Sequence, residues 1–212
     1  MKDKIILFDL DGTLIDSTEA ILESFEMAFK SFGLKTPPQK DIKELIGHPL
    51  DYMFEHLGVS KDVVWDYVDA YKKHYRTISC QKTTLLPNAL KSIELAHSFA
   101  ILGIVTTKTA LYSKEMLEYM GVMHYFDVLI GREDVTHPKP HPEPIQKALC
   151  MLPKVSDIYM IGDTCMDMVC AKECCVKGIG VTSGYASYEE LSKCSDIVVE
   201  DTLKAVTIIS NL

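Results

Sequence analysis

The chain has 212 residues, of which 47% are hydrophobic and 25% are charged, enough for one substantial core plus a smaller module. Its formal net charge of −8 argues against nucleic-acid binding, which needs a basic face, and no uncharged apolar run is long enough for a membrane span. With seven cysteines, an odd number, and no signal-peptide pattern, we expect a cytoplasmic protein with reduced thiols and a small-molecule substrate.

Short apolar runs rich in β-branched residues predict the strands. Continuous runs of this kind are typical of strands that are covered on both faces. Helical patterns lie between most of them, which indicates crossover connections in a mainly parallel sheet. The sequence therefore predicts a three-layer, Rossmann-like α/β core, with strands at 5–8, 101–105, 128–130, 158–161, 179–181 and 197–199.

A long interval between the first two predicted strands contains helical patterns and no convincing strand. Its first pattern repeats apolar residues from Ile21 to Phe32 at helical spacing and stops at Gly33. We therefore predict a small helical domain at 17–84, inserted into a core domain formed by 1–16 and 85–212.

Two carboxylates directly follow the first predicted strand. Asp9 and Asp11 are two residues apart, and Gly12 and Thr13 indicate a tight loop after them. Carboxylates this close repel each other unless a cation or a shared proton relieves them. One of them is suited to act as a nucleophile while the other handles protons, although a capped turn with no catalytic role is the plain alternative.

Hydroxyl groups follow the second predicted strand at Thr106 and Thr107. Together with backbone amides near a helix start, they are suited to bind phosphate oxygens. The alternative is structural, because Thr107 or Thr109 is equally suited to cap the helix predicted to begin near Ala110.

Further along the chain, Lys139 lies between two prolines, Pro138 and Pro140, which stiffen the backbone around it. A rigidly held ammonium group can neutralise a phosphoryl group and an attacking carboxylate together. Most surface lysines have no such role. His137 and His141, which flank this segment, are interpreted as ordinary loop residues.

Two more carboxylates, Asp163 and Asp167, follow the fourth predicted strand at a spacing of four. If a helix begins near Thr164, Asp167 lies about one turn beyond Asp163. Carboxyl ends of parallel strands meet at one edge of a sheet, so these acids are expected near Asp9 and Asp11. Oxygen ligands that converge in this way favour Mg²⁺.

In this order, and with a helical insertion after the first, the four motifs resemble the haloacid dehalogenase superfamily, specifically its phosphoglycolate phosphatase-like branch. The resemblance covers essentially the whole chain. Its signature elements here are Asp9 to Ser17, Val105 to Lys108, Lys139-Pro140, and Gly162-Asp163 with Asp167.

The resemblance implies that Asp9 attacks phosphorus and forms an aspartyl-phosphate, while Asp11 protonates the leaving alcohol and then activates water. Lys139 is implied as a further catalytic residue. The same resemblance implies which residues bind phosphate and metal. The phosphoryl group is expected on Thr106, Thr107 and Lys139, and Mg²⁺ on the Asp9 side chain, the Asp11 carbonyl, Asp163 and Asp167.

Two features within the resemblance concern the substrate. Many relatives carry asparagine where this chain has Thr107, so a contact normally made by an amide is in question. The insertion resembles a cap that closes over the site and samples the leaving group. Residues 47–49, Gly-His-Pro, are the segment we expect to face the substrate, although such a stretch is more often only a turn.

Several alternatives stay open at this stage. Asp11 disfavours a dehalogenase, which has no leaving alkoxide to protonate. A sugar phosphomutase, an inorganic pyrophosphatase and an idle phosphate-binding regulator share the expected core. Phosphoglycolate is the first expected substrate by resemblance only, and the oligomeric state is open.

Four cysteines crowd one predicted helix and suggest a zinc site as a further alternative. Against it, free cysteine is a common buried residue, and no flanking histidine completes a known zinc spacing. The cysteines concerned are Cys165, Cys170, Cys174 and Cys175.

Overall fold

The computed structural model describes residues 2–212. The strands of this part of the chain are numbered in chain order. They are β1 (Lys4–Phe8), β2 (Ile15–Asp16), β3 (Thr84–Leu85), β4 (Ala100–Val105), β5 (Val128–Ile130), β6 (Asp157–Gly162), β7 (Lys177–Val181) and β8 (Val198–Val199).

Six of these strands form one sheet in the order β5-β4-β1-β6-β7-β8. Each strand pairs in parallel with its neighbours, and Phe8 at the end of β1 lies opposite Ile104 of β4 and Ile161 of β6. Residues 5–8 are almost completely buried, which explains why they read as a continuous apolar run. The predicted mainly parallel α/β sheet is confirmed.

Helices lie between the strands along the chain. In chain order the α-helices are α1 (Thr18–Ser31), α2 (Gln39–Lys43), α3 (Leu50–His56), α4 (Val64–Ile78), α5 (Ala89–Phe99), α6 (Ala110–Tyr119), α7 (Glu143–Cys150), α8 (Cys165–Glu173), α9 (Tyr188–Leu191) and α10 (Thr202–Ser210). Short 3-10 helices occur at Met123–Tyr125 and Arg132–Asp134. Within residues 2–212, none of the helices combines the length and the apolar character that a membrane crossing requires.

The sheet has a helical layer on each face. Ile5 and Leu7 of β1 pack with Ile145 of α7 and Ala171 of α8 in one apolar cluster. Side chains alternate along a strand, so Ile6 and Phe8 point to the other face. Helices α5 and α10, which contact each other as well as the sheet, supply the layer there.

The chain divides into two compact units. One contains Met1–Asp16 and Leu85–Leu212, and the other contains Ser17–Thr84. The second unit is helical, with α1 and α3 packed on α4. Its core is aromatic: the rings of Phe25 and Phe54 lie 4.6 Å apart, and those of Phe29 and Tyr67 lie 5.4 Å apart. Both distances lie in the range that is favourable for aromatic pairs, and the second pair is edge-on.

The sequence did not predict the two-residue strands β2 and β3, which pair with each other. Strands this short contain no alternation from which a period can be recognised. Leu86 N also donates to Leu14 O at 2.9 Å.

A disulfide joins Cys165, at the start of α8, to Cys194, just after α9. The prediction that all cysteines are reduced is wrong for this pair. That prediction rested on the compartment rule, whereas bonding depends on proximity, and the two Cα atoms lie 5.7 Å apart, within the usual range for a disulfide. The other five cysteines are free.

Candidate active site

Asp9, Thr106 and Asp163 each follow a strand in the middle of the sheet, after β1, β4 and β6. Since these strands are parallel neighbours, their carboxyl ends bring the three residues to one edge. Asp9 N donates to Ile161 O at 2.9 Å, so the ladder extends one residue beyond the strand and holds the Asp9 backbone. All three side chains are buried.

The loop after Asp9 turns sharply and brings Gly12 and Thr13 close to Asp163. Gly12 has a φ of +81°, and a Cβ atom on it would lie 2.3 Å from Asp163 Oδ2. Glycine is therefore needed both for the backbone conformation and for the close approach. Thr13, which is 1% exposed, donates its hydroxyl hydrogen to Asp163 Oδ1 at 3.1 Å. The tight loop inferred from Gly12 and Thr13 thus supports a carboxylate from another strand.

Lys139 binds three oxygen atoms in the buried interior of the site. Its Nζ donates to Asp9 Oδ1 at 2.7 Å, to Val105 O at 2.9 Å and to Asp167 Oδ1. The Lys139 side chain is 3% exposed, and those of Asp9 and Asp167 are 6% and 0% exposed. An ammonium group has three hydrogens to donate, and here all three have acceptors. These three hydrogen bonds therefore fix the position of Lys139 Nζ.

Asp163 and Asp167 are held by donors from two loops. Asp167 Oδ2 accepts from the Thr164 amide at 3.1 Å and from the Thr164 hydroxyl at 2.8 Å, as at a helix start. Asp163 Oδ2 accepts from Tyr185 N at 2.9 Å. A Cβ atom on Gly184 would lie 2.0 Å from that same oxygen. Sequence reasoning missed Gly184 and Tyr185, because nothing local marks a contact across 22 residues.

The site carries more negative than positive charge. Burial raises the pKa of Asp9 to about 7, an effect that Lys139 opposes and Asp167 reinforces. Burial, followed by the Asp9 and Asp167 charges, raises the pKa of Asp163 well above its ordinary value. For Lys139, burial alone would lower the pKa, but the Asp167 and Asp9 carboxylates raise it above the ordinary value, so this lysine stays charged.

This donor set fits a hard divalent cation. Asp9, Asp163 and Asp167 offer carboxylate oxygens that all lie within 4.8 Å of one another, and all three residues are buried. One lysine does not balance three buried carboxylates, and the neighbouring carboxylates add to the effect of burial in raising the pKa values of Asp9 and Asp163. Oxygen ligands with net negative charge suit Mg²⁺. The Asp11 side chain is not part of this group. The metal contact expected from Asp11 is made by its backbone carbonyl.

Asp11 points to a different partner, Lys108. Lys108 Nζ lies 3.0 Å from Asp11 Oδ2, and the two side chains are only 10% and 12% exposed. The sequence motif at Thr106 predicted phosphate contacts without assigning Lys108 to the site. Its position directly after Thr107 is the signal that was available. The structure thus adds a second cation beside the second carboxylate.

The predicted capping alternative for Thr107 and Thr109 is not what the structure shows at α6. Thr109 occupies the cap position without a side-chain bond, and Glu133 accepts from the amides of Ala110 and Leu111 at 2.8 and 3.3 Å. Thr106 Oγ1 accepts from Lys108 N at 3.1 Å, and its hydroxyl hydrogen can still donate to a phosphoryl oxygen. Thr107, next in the chain, is half-buried.

The cysteines of α8 do not assemble a zinc site. Cys165 is in the disulfide, while the thiols of Cys170 and Cys174 donate to the carbonyls of His141 and Pro142 at 3.1 and 3.4 Å. Among residues 2–212, the groups of side chains close enough to hold a metal ion contain no cysteine.

A parallel α/β sheet with buried carboxylates and a buried lysine at its carboxyl edge fits a hydrolase that acts on phosphate groups. The family model for haloacid dehalogenase-like hydrolases matches residues 6–181, and the chain belongs to this family. Relatives of this chain carry the names pyrophosphatase and phosphoglycolate phosphatase, and this protein is a phosphatase of the same family.

Three similarities illustrate the relationship. Pyrophosphatase PpaX of Halalkalibacterium halodurans is 34% identical over 188 residues, which are 88% of this chain and 86% of the relative. Phosphoglycolate phosphatase of Neisseria meningitidis is 29% identical over 89% of this chain and 84% of its own length. The structure of a haloacid dehalogenase-like hydrolase from Streptococcus pneumoniae superposes with a TM-score of 0.85 at 29% identity over 97% of each chain.

Proposed function

We propose that this chain is a Mg²⁺-dependent phosphatase that transfers the phosphoryl group of a small organic phosphate to Asp9 and then to water. The observation that carries the proposal is the contact between Lys139 Nζ and Asp9 Oδ1 in a buried site that also contains Asp163 and Asp167. A charged lysine there holds one Asp9 oxygen and leaves the other for attack on phosphorus.

The chain's own residues account for both halves of the reaction. In the first half, an Asp9 oxygen forms a bond to phosphorus, the bond to the leaving oxygen breaks, and Asp11 gives that oxygen a proton. In the second half, Asp11 takes a proton from water, which attacks the phosphoryl group and releases Asp9. The positive charge of Lys139 and a hydrogen bond from the Thr106 hydroxyl group stabilise the phosphoryl oxygens, and Thr107 is proposed as a further contact.

Asp9, Asp163 and the Asp11 carbonyl would hold Mg²⁺, with Asp167 directly or through water. When bound, this ion supplies positive charge that offsets the carboxylates and the phosphoryl oxygens. Lys108 fixes the Asp11 carboxylate at 3.0 Å, which positions the group that exchanges protons with the leaving oxygen and with water.

The helical unit Ser17–Thr84 is proposed as the cap that selects the leaving group. Residues 47–49 stay our proposed substrate-facing segment. Gly47 has a φ of +107° there, and Pro49 precedes α3. Phosphoglycolate is the first proposed substrate, in line with the relatives named phosphoglycolate phosphatase.

Inorganic pyrophosphate is the second candidate substrate. One observation favours it: a relative named pyrophosphatase PpaX reaches 34% identity, above the 29% of the phosphoglycolate phosphatase. The same core chemistry serves both substrates, since only the leaving group differs.

The test is phosphate release from a panel of phosphate esters and pyrophosphate, with Mg²⁺ or with EDTA, ranked by kcat/KM. Asp9→Asn should abolish turnover with every substrate, whereas Asp196→Asn, which changes an exposed acid of the same unit, should leave it unchanged. Acid quenching with radiolabelled substrate should trap label on wild-type protein only. Activity that survives Asp9→Asn or that ignores EDTA would rule out the proposal.

A further inference from the structure

A second group of potential metal ligands lies outside the carboxylate site. His137, His141 and Glu143 each offer one ligand atom, and these atoms all lie within 4.8 Å of one another. The three residues belong to the segment that leads into α7 and carries Lys139. Both imidazoles are exposed, and Glu143 is half-buried, so the group is open to solvent. The interpretation of the histidines as ordinary loop residues does not account for their convergence.

The distances within this group approach those of a metal site. His137 Nδ1 lies 3.0 Å from Glu143 Oε2, and the two imidazole rings lie 4.6 Å apart. Neighbouring ligand atoms around a tetrahedral zinc ion with bonds of about 2.0–2.1 Å are about 3.3 Å apart. A metal ion in place of the shared hydrogen therefore requires only small movements of side chains. His141 Nδ1 accepts from Glu143 N at 3.1 Å, which uses its one lone pair, so Nε2 is the nitrogen that His141 would offer to the metal.

The backbone around the group is already held in place. Glu143 accepts hydrogen bonds from Thr136 N at 2.8 Å and from His137 N at 2.9 Å. Each carboxylate oxygen has a further lone pair, so these bonds do not prevent metal ligation. Cys170 Sγ donates to the carbonyl of His141 at 3.1 Å, which anchors the other histidine. The same amide bonds lower the pKa of Glu143 to about 2, so the carboxylate is charged.

We propose that His137, His141 and Glu143 form a binding site for a borderline divalent cation such as Zn²⁺, separate from the magnesium site of Asp9, Asp163 and Asp167. Imidazole nitrogen selects zinc-like ions, whereas an all-oxygen set selects magnesium. Three protein ligands leave a fourth position for water. The competing interpretation is that Glu143 only stabilises the loop through its hydrogen bonds and that the two histidines bind no ligand.

The experiment is a Zn²⁺ titration of the full chain by calorimetry, after EDTA treatment and desalting, in excess Mg²⁺ so that the carboxylate site is occupied. We expect one Zn²⁺ per chain. His137→Ala and His141→Ala should each weaken binding by about tenfold or more, and the double variant should abolish it. His124→Ala removes an exposed histidine elsewhere and should leave the affinity unchanged.

A second measurement separates this site from the carboxylates and the free cysteines. Co²⁺ absorption of wild-type protein should show nitrogen and oxygen ligation without a thiolate charge-transfer band, and Asp163→Asn should retain the signal. Equal Zn²⁺ affinity in the double histidine variant, loss of binding in Asp163→Asn alone, or a thiolate band would each overturn the proposal. Thermal denaturation of each variant confirms that it is folded.

Discussion

Lys139 Nζ lies 2.7 Å from Asp9 Oδ1, although the two residues are 130 positions apart in the chain. The same nitrogen contacts Asp167 Oδ1, so one ammonium group bridges two buried carboxylates. Removal of Lys139 should therefore affect both stability and activity.

Lys139→Ala should lower the free energy of unfolding by about 3–5 kcal/mol, because it leaves buried charges unpaired. It should also lower kcat by about 100- to 1,000-fold. Lys139→Arg keeps the charge and should recover stability more than activity, since the wider guanidinium group displaces Asp9. Urea denaturation and steady-state kinetics measure the two effects. Full activity in Lys139→Ala would contradict the assigned role.

Asp11 and Lys108 should act as one unit. Asp11→Asn should lower kcat by about 100- to 10,000-fold, because the proton donor is lost. Lys108→Gln should lower kcat by about tenfold in the wild-type background and by much less in Asp11→Asn, since its partner is already changed. A double-mutant cycle on kcat measures this coupling. The same loss in both backgrounds would show that Lys108 acts independently of Asp11.

Mg²⁺ affinity should depend on pH. The raised pKa of Asp9, about 7, means that the metal-free folded protein holds a proton that the unfolded chain loses near 3.8. The contribution of Asp9 to the stability of the metal-free protein is therefore fully present below about pH 4 and is lost as pH rises to about 7. Mg²⁺ must displace that proton and any proton that Asp163 retains, so its affinity should rise by about ten- to a hundredfold per pH unit below about 7. Calorimetry from about pH 5 to about pH 8 measures the effect, and a flat profile would contradict it.

Gly184→Ala should weaken Mg²⁺ binding by about 10- to 100-fold, because the new Cβ would lie 2.0 Å from Asp163 Oδ2 and force that carboxylate to move. Mg²⁺ activation curves should shift accordingly. Gly180→Ala is the matched control, since its nearest contact is the side chain of Leu191 at 3.3 Å, away from the carboxylates. Unchanged Mg²⁺ activation in Gly184→Ala would show that Asp163 does not contribute to metal binding.

The Cys165–Cys194 disulfide closes a loop with a sequence separation of 29. Cys165→Ser with Cys194→Ser should lower the free energy of unfolding by about 2–4 kcal/mol, because the unfolded chain regains freedom. A reducing agent should have the same effect on the wild-type protein. Cys150→Ser, at an exposed free cysteine, should change stability little. Identical denaturation curves with and without reducing agent would show that the bond does not stabilise the fold.

Local patterns of apolar residues predicted much of the architecture. The buried run at residues 5–8 and the helical spacing from Ile21 to Phe32 predicted strand and helix because burial imposes a period on the chain. The carboxylates directly after β1 and β6 could be recognised from the same patterns, since the residues at the carboxyl ends of parallel strands share one edge of the sheet. Their catalytic roles stay predictions that the variants above test.

Local sequence patterns predicted the α/β class, the helical insertion and the residues that end the central strands. The contacts of Lys139 with Asp9 and Asp167, the pairing of Lys108 with Asp11 and the space that Gly184 leaves for Asp163 became visible only in the folded chain. The difference lies in the distance along the chain over which each interaction acts. Burial and backbone preference act on neighbouring residues and leave a periodic trace, whereas ion pairs and close approaches join residues that only the completed fold brings together.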